Sequence, residues 1–164
     1  PLLNSFAFTD EMIGRFVEKL RATEEWKNML IILIPDHSTP YPVSIGNNSP
    51  ERHHIPMLWL GGAVKEDMTV SDYMAQTDLA ATLLGQLGIP HDEFIFSRDI
   101  SSPETSRFGY WAFKNGFGMI DEDGVTIYDC STESLIRNEG DPDLSRYNKG
   151  KAILQKTFIE IRKM

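Results

Sequence analysis

Met29-Leu30-Ile31-Ile32-Leu33-Ile34 is an unbroken apolar run, and Pro35-Asp36-His37 follows it at once. With no polar residue in it, a strand here is apolar on both faces, the habit of a strand inside a parallel sheet. Pro35 lacks the amide that would extend the ladder, so the strand must stop before Asp36. Ile55-Pro56-Met57-Leu58-Trp59-Leu60 reads as a second buried strand, stopped by Gly61-Gly62. A chain with two such strands must supply layers to cover them.

Helices are available for that purpose. Met12, Ile13, Phe16, Val17 and Leu20 recur at helical spacing, with Glu18, Lys19 and Arg21 facing away, and Thr9 or Asp10 is placed to cap the start. Ser71 to Leu87 reads as a second helix with Leu79, Ala80, Leu83, Leu84 and Leu87 on one stripe. Thr77 is a cap for a fresh start there, Asp78 suits the first turn, and Gly88 suits a left-handed end. The order helix, strand, loop, strand, helix predicts an α/β layer architecture. Between the strands, residues 38–54 form a Pro-, Ser- and Asn-rich loop, and loops of that length are usually functional or poorly ordered.

Past Pro103 the pattern changes. Phe108–Phe113, Phe117–Ile120 and Val125–Tyr128 are short aromatic or β-branched runs separated by Lys114-Asn115-Gly116 and Glu122-Asp123-Gly124. Asn-Gly and Asp-Gly are strong hairpin signals, so a three-stranded antiparallel meander is expected. An amphipathic helix from Asp143 to Lys163 closes the chain, with Ile153, Leu154, Phe158 and Ile161 as its buried stripe.

Composition narrows the function classes. Sixteen basic against 24 acidic residues give a net charge of −8, which argues against a nucleic-acid-binding face. Anionic substrates stay open, because a bound metal ion inverts the local field. The single cysteine, Cys130, cannot form an internal disulfide. The longest apolar run falls far short of the roughly 20 residues needed to span a bilayer, and no leader peptide is visible. A first residue of Pro rather than Met makes the chain read as a piece of something longer.

Asp36-His37 is the most suggestive site, because ligands of open α/β sheets bind beyond the carboxyl ends of strands. Neighbouring strand residues point to opposite faces, so the two side chains converge only if the chain turns between Pro35 and Ser38. One carboxylate and one imidazole then suit zinc or manganese, which would polarise a phosphoryl or sulfuryl oxygen. The alternative is that Asp36 caps the loop and His37 is an ordinary loop residue. His53-His54 could reach the same crevice edge, or be a solvated histidine beside one bonded to backbone. Ser38 and Thr39 offer hydroxyls without an identifiable activating base. His91 reads as a surface turn residue, Arg98-Asp99 as a local ion pair or loop brace, and the aromatics of the meander as core.

Taken together, Asp10–Phe16, Leu30–His37, His54–Gly61 and Gln76–Ile89 resemble, in order and spacing, the C-terminal part of a sulfatase-like domain of the alkaline phosphatase superfamily. The nearest branch by this resemblance is the lipoteichoic-acid-synthase-type phosphoglycerol transferases, with the phosphoethanolamine transferases nearby. The resemblance covers roughly residues 9–100. It implies that residues 1–105 are the C-terminal part of a sulfatase-like α/β/α sheet, and residues 106–164 a small antiparallel subdomain with a terminal helix. It also implies a divalent metal (Mn, Zn or Mg, or Ca in a true sulfatase) held in part by Asp36 and His37. In the family a Thr or Ser nucleophile and a further acidic ligand complete the site, and neither maps onto this chain. His54 is implied as a residue near the reacting centre. Ser38 stands where the family usually has Gly.

The implied substrates are phosphate or sulfate esters, lipid-linked ones included, acted on outside the cytoplasmic membrane or in the periplasm. Two protein ligands are fewer than a catalytic metal site uses, so the isolated chain is expected to be inactive and its parent active. A non-catalytic module binding glycan or a partner protein is the alternative. An incomplete sheet would also leave an apolar edge through which copies could associate.

Overall fold

In the computed structural model, which describes residues 2–41 and 44–164, helices and antiparallel sheets combine in a mixed α/β architecture. Two compact units can be distinguished, one made of residues up to 37 with 55–69, the other of residues 38–54 with 70–164.

The first unit holds helix α1 (Leu2–Arg21), a short 3-10 turn (Glu24–Asn28), strand β1 (Ile31–Leu33) and strand β2 (Leu58–Leu60). α1 starts well before the expected cap at Thr9 or Asp10, so these two polar residues are carried inside the helix, on exposed positions. β1 and β2 pair antiparallel, with Ile32 opposite Trp59, rather than with the parallel habit the apolar run suggested. Nor are the two strands buried on both faces as expected: β1 is half-buried along its length and Leu58 of β2 is 56% exposed, so an uninterrupted apolar run fixes neither the burial nor the direction of the neighbour. Gly61, at φ 119°, ends β2 with its α-carbon pressed on the Met29 carbonyl, where any side chain would collide. Gly62 N donates to Trp26 O and Ala63 N to Met29 O, tying the strand end back to the turn. None of the described residues of this unit is fully buried.

The second unit contains the core. Its sheet has the order β3-β4-β5-β6, made of Gly109–Phe113, Gly116–Asp121, Gly124–Asp129 and Ser134–Asn138. The two expected turns are where the glycines place them: Phe113 pairs with Gly116 and Asp121 with Gly124. The meander gains a fourth strand, whose ladder is broken by a bulge between Ile127 and Tyr128. Phe117 and Met119 are completely buried, and Trp111, Val125 and Ile127 pack together with Phe113 and Ile120. The meander aromatics Trp111 and Phe117 are thus core, as their alternation implied.

Helix α3 (Ser145–Ile161) packs on β4 and β5. Gly150 faces the Phe117 ring so closely that a β-carbon would overlap it. The helix begins two residues later than Asp143, and the anion at its start is Asp141. Its carboxylate accepts from the amides of Ser145 (2.8 Å), Arg146 (2.9 Å) and Tyr147 (3.2 Å), satisfying donors that a helix start leaves open. Two members of the expected buried stripe, Phe158 and Ile161, are exposed.

Helix α2 covers only Leu79–Gln86, preceded by a 3-10 turn at Gln76–Asp78, so Ser71–Ala75 is not helical. The reason is Asp78, which is fully buried. Its carboxylate accepts from Ala75 N (2.8 Å), Arg98 N (2.9 Å) and Arg98 Nε (2.9 Å), and also from Arg98 Nη2. Arg98 is therefore a brace, but its partner is Asp78 and not Asp99. Its guanidinium also donates to the Ser106 and Phe108 carbonyls and lies 3.4 Å from the Phe108 ring centre.

Candidate functional site

Directly after β1, the chain bends at Asp36 and His37, the turn that convergence of their side chains requires. Pro35 sets up the bend by ending the ladder. The His37 amide donates to Asp36 Oδ1 at 2.9 Å, which orients the carboxylate. Asp36 Oδ2 then lies 3.7 Å from His37 Nε2, with the two side chains 88% and 72% exposed. At that exposure the pair adds at most about 1 kcal/mol to stability. Asp36 is thus not a buried brace, and both groups face solvent where a ligand can reach them.

The donor set suits a borderline metal ion: one carboxylate oxygen and one imidazole nitrogen, held close together and accessible. It supplies two donors, and a catalytic centre typically has three from the protein plus water. Among the described residues, no group of three or more His, Cys, Asp or Glu side chains comes together to hold an ion. Asp36 and His37 fit part of a metal site.

The remaining candidates belong to the second unit. His53 stacks on Trp111, with ring centres 5.4 Å apart, and its Nε2 lies 2.8 Å from the Asn47 carbonyl. The Trp111 indole donates to the Asn48 carbonyl at 3.3 Å. These contacts, with Arg52 bonding to both oxygens of Ser38 and the Ser38 hydroxyl donating to the Arg52 carbonyl, tie residues 38–54 to β3 and to themselves. His54, next to this anchored histidine, is exposed. His91 is half-buried and lines a concavity of about 530 Å³ with Ser97, Asp99 and Ser102. Ser101 holds the Asp99 carboxyl below the usual carboxylate range by hydrogen bonds from its hydroxyl and amide.

Sequence reading missed three buried polar groups that order this unit: Asp78, Arg146 and Asp141. Arg146 is 3% exposed and pairs with Asp121 at 2.5 Å, while donating to the Glu139 carbonyl and to Thr126 Oγ1. Burial opposes ionisation of Asp121, but the Arg146 hydrogen bond and charge hold its carboxyl below the usual range. Asp141 is likewise opposed by burial and held low by the amides and hydroxyl at the start of α3. Their partners lie 3 to 25 residues away; the near ones cap helix starts, and the distant ones, Arg98 for Asp78 and Asp121 for Arg146, lie beyond any local motif.

Comparison with known proteins gives three findings. A family model described as sulfatase matches residues 2–89. Arylsulfatase K of Canis lupus familiaris is 30% identical over 91 residues, which is 51% of this chain and 16% of that protein. A crystal structure of a protein in the alkaline phosphatase superfamily from Vibrio parahaemolyticus superposes with a TM-score of 0.64 at 21% identity, covering 92% of this chain and 40% of that one. The chain therefore spans about one-sixth of the curated relative and two-fifths of the structural one, and the second likeness is one of fold.

Proposed function

Because the chain belongs to the sulfatase family, we propose that it is part of a metal-dependent enzyme that cleaves or transfers a sulfuric or phosphoric ester, with Asp36 and His37 as two of its metal ligands. The observation that carries this reading is their convergence, exposed and 3.7 Å apart, immediately past the end of β1. Both lie within the segment that matches the family.

A divalent ion bound there would polarise the ester oxygens and stabilise the charge that develops on them. The chain's own contribution is orientation. The His37 amide fixes Asp36 Oδ1, so Oδ2 and the imidazole are presented together. His54, the further residue the family resemblance implies, is an exposed imidazole of the other unit, and the reading does not depend on it. The nucleophilic Thr or Ser and the remaining ligands are assigned to parts of the sulfatase domain outside residues 1–164. Water as acceptor gives a hydrolase, and an alcohol such as a glycerol lipid gives a phosphoglycerol transferase. Either acts, in this reading, outside the cytoplasmic membrane.

The test is turnover of an aryl sulfate and of a phosphodiester by the whole protein, with and without divalent metal. Asp36→Ala and His37→Ala should each cost more than the roughly 10–100-fold lost when a residue supporting a metal ligand is removed. Metal-independent turnover, or full activity in both variants, would refute the proposal.

A further inference from the structure

Helix α3 is at odds with the rest of the chain in charge. Residues 145–164 carry six basic residues against one acidic, Glu160, leaving ten basic and 23 acidic for residues 1–144. The same segment exposes large apolar side chains: Phe158 at 58%, Ile159 at 54% and Ile161 at 59%. The column that packs on the sheet is carried by Arg146, Gly150, Ile153 and Thr157, and Ile161 continues it by one turn, while Phe158 and Ile159 turn away from it. The C-terminal half of α3 thus combines an apolar strip with positive charge on its outer side. Among the described residues no helix is long and apolar enough to cross a membrane, so any lipid contact by α3 is at the surface.

We propose that this outer face of α3 binds the surface of an anionic lipid bilayer. Residues three and four apart are neighbours on a helix, so Phe158 lies beside Arg162 at the helix end and Ile159 beside Lys156, with Lys163 in the turn that follows. Long basic side chains in that position lay their stems along apolar neighbours and turn their charged ends outward. An interfacial helix needs that gradation, because polarity changes over the ~5–10 Å it penetrates. Lys156 lies 5.6 Å from the Phe96 ring and Lys163 is 2.8 Å from Glu160, and both cations are exposed. Beyond the helix, Lys114 in the β3–β4 turn and Phe158 line a shared concavity of about 360 Å³ with Phe113 and Leu154, so the basic and apolar character continues onto the sheet. A protein partner would have to present an apolar pocket with an acidic rim in matching register. An anionic bilayer presents both at every point, which favours it. The proposal does not depend on the Asp36–His37 reading.

The experiment is flotation of the chain with phosphatidylcholine vesicles containing about a third phosphatidylglycerol, compared with phosphatidylcholine alone. The chain should float with the anionic vesicles only, and salt near 1 M, where the screening length is about 3 Å, should release it. Arg162→Gln and Lys163→Gln should each weaken binding about fivefold. The double variant Phe158→Ser with Ile159→Ser should abolish it, while Lys65→Gln changes nothing. If the serine pair impairs folding by circular dichroism, the two charge variants still decide the matter. Equal binding to both vesicle types, binding to neither, or α3 variants that instead abolish a concentration-dependent dimer would overturn the proposal.

Discussion

In the unit made of residues 38–54 and 70–164, Asp78, Asp141 and Arg146 are buried charged residues, each with hydrogen-bonded partners. In the unit made of residues up to 37 with 55–69, none of the described residues is fully buried and the Asp36–His37 pair stands in solvent. Asp78 with Arg98 and Asp121 with Arg146 serve structure: their hydrogen bonds go to backbone and to one another, with Arg146 Nε alone of these groups left buried without a partner. Asp36 and His37 are instead largely exposed, 88% and 72% at their side chains. The difference teaches where to look for chemistry in this chain. A buried ion pair is closed to a ligand from solvent, and an exposed, pre-oriented one is within its reach.

The comparison can be broken first at the core. Phe117→Ala, at a completely buried position against α3, should cost about 3–5 kcal/mol in denaturant unfolding. Phe16→Ala, on the 56% exposed Phe16 of α1, should stay within about 0.5 kcal/mol. Equal effects at the two sites would erase the contrast between the units.

Removing one partner of a buried pair is the next largest effect. Asp121→Asn should cost about 3–5 kcal/mol by stranding the Arg146 charge. Replacing both residues together, Asp121→Leu with Arg146→Met, should recover much of that loss. A double variant as unstable as the single one would show that the pair stabilises beyond its own satisfaction.

Asp141→Ala removes the cap of α3 and should cost about 0.5–2 kcal/mol. The pH dependence follows from the same groups. Asp121 and Asp141 titrate below their unfolded values, so their stabilisation is complete above the ordinary carboxylate value near 3.9 and is lost as pH falls through their lower folded values. Acid unfolding monitored at the Trp111 indole should move to higher pH in Asp141→Ala, because the depressed carboxylate then no longer contributes at neutral pH. An unchanged acid midpoint would contradict the capping role.

A smaller effect of opposite sign is expected at Tyr110. Its hydroxyl is buried without a hydrogen-bond partner, and burial, with Cys130 adding to it, pushes its titration up to about 12. Tyr110→Phe removes an unsatisfied polar group and should raise stability by about 1 kcal/mol. Destabilisation by the same amount would mean that the hydroxyl has a bridging partner.

Local signals in the sequence carried the local features. The two hairpin turns were legible because Gly116 and Gly124 follow residues that favour tight turns, and the bend at Asp36–His37 was legible because Pro35 must end its strand. What failed was long-range or depended on context. Ser134–Asn138 gave no strand signal, since it is an exposed edge with an irregular ladder and follows Glu133 at φ 52°. The direction of β1 against β2 is decided by the path of the intervening chain, not by either run. Asp78 finds Arg98 twenty residues away, and no pattern within a helix announces such a partner. For the site, the residue types of Asp36 and His37 were readable, and their exposure was not.

The central claim, that Asp36 and His37 present themselves together to a metal ion, is tested most directly by titrating Mn2+ into the labelled chain and following the histidine ring resonances. The account predicts that the His37 ring broadens first, ahead of His53, His54 and His91, and that Asp36→Ala removes this selectivity. Uniform broadening of the four rings, or an unaffected His37, would contradict it.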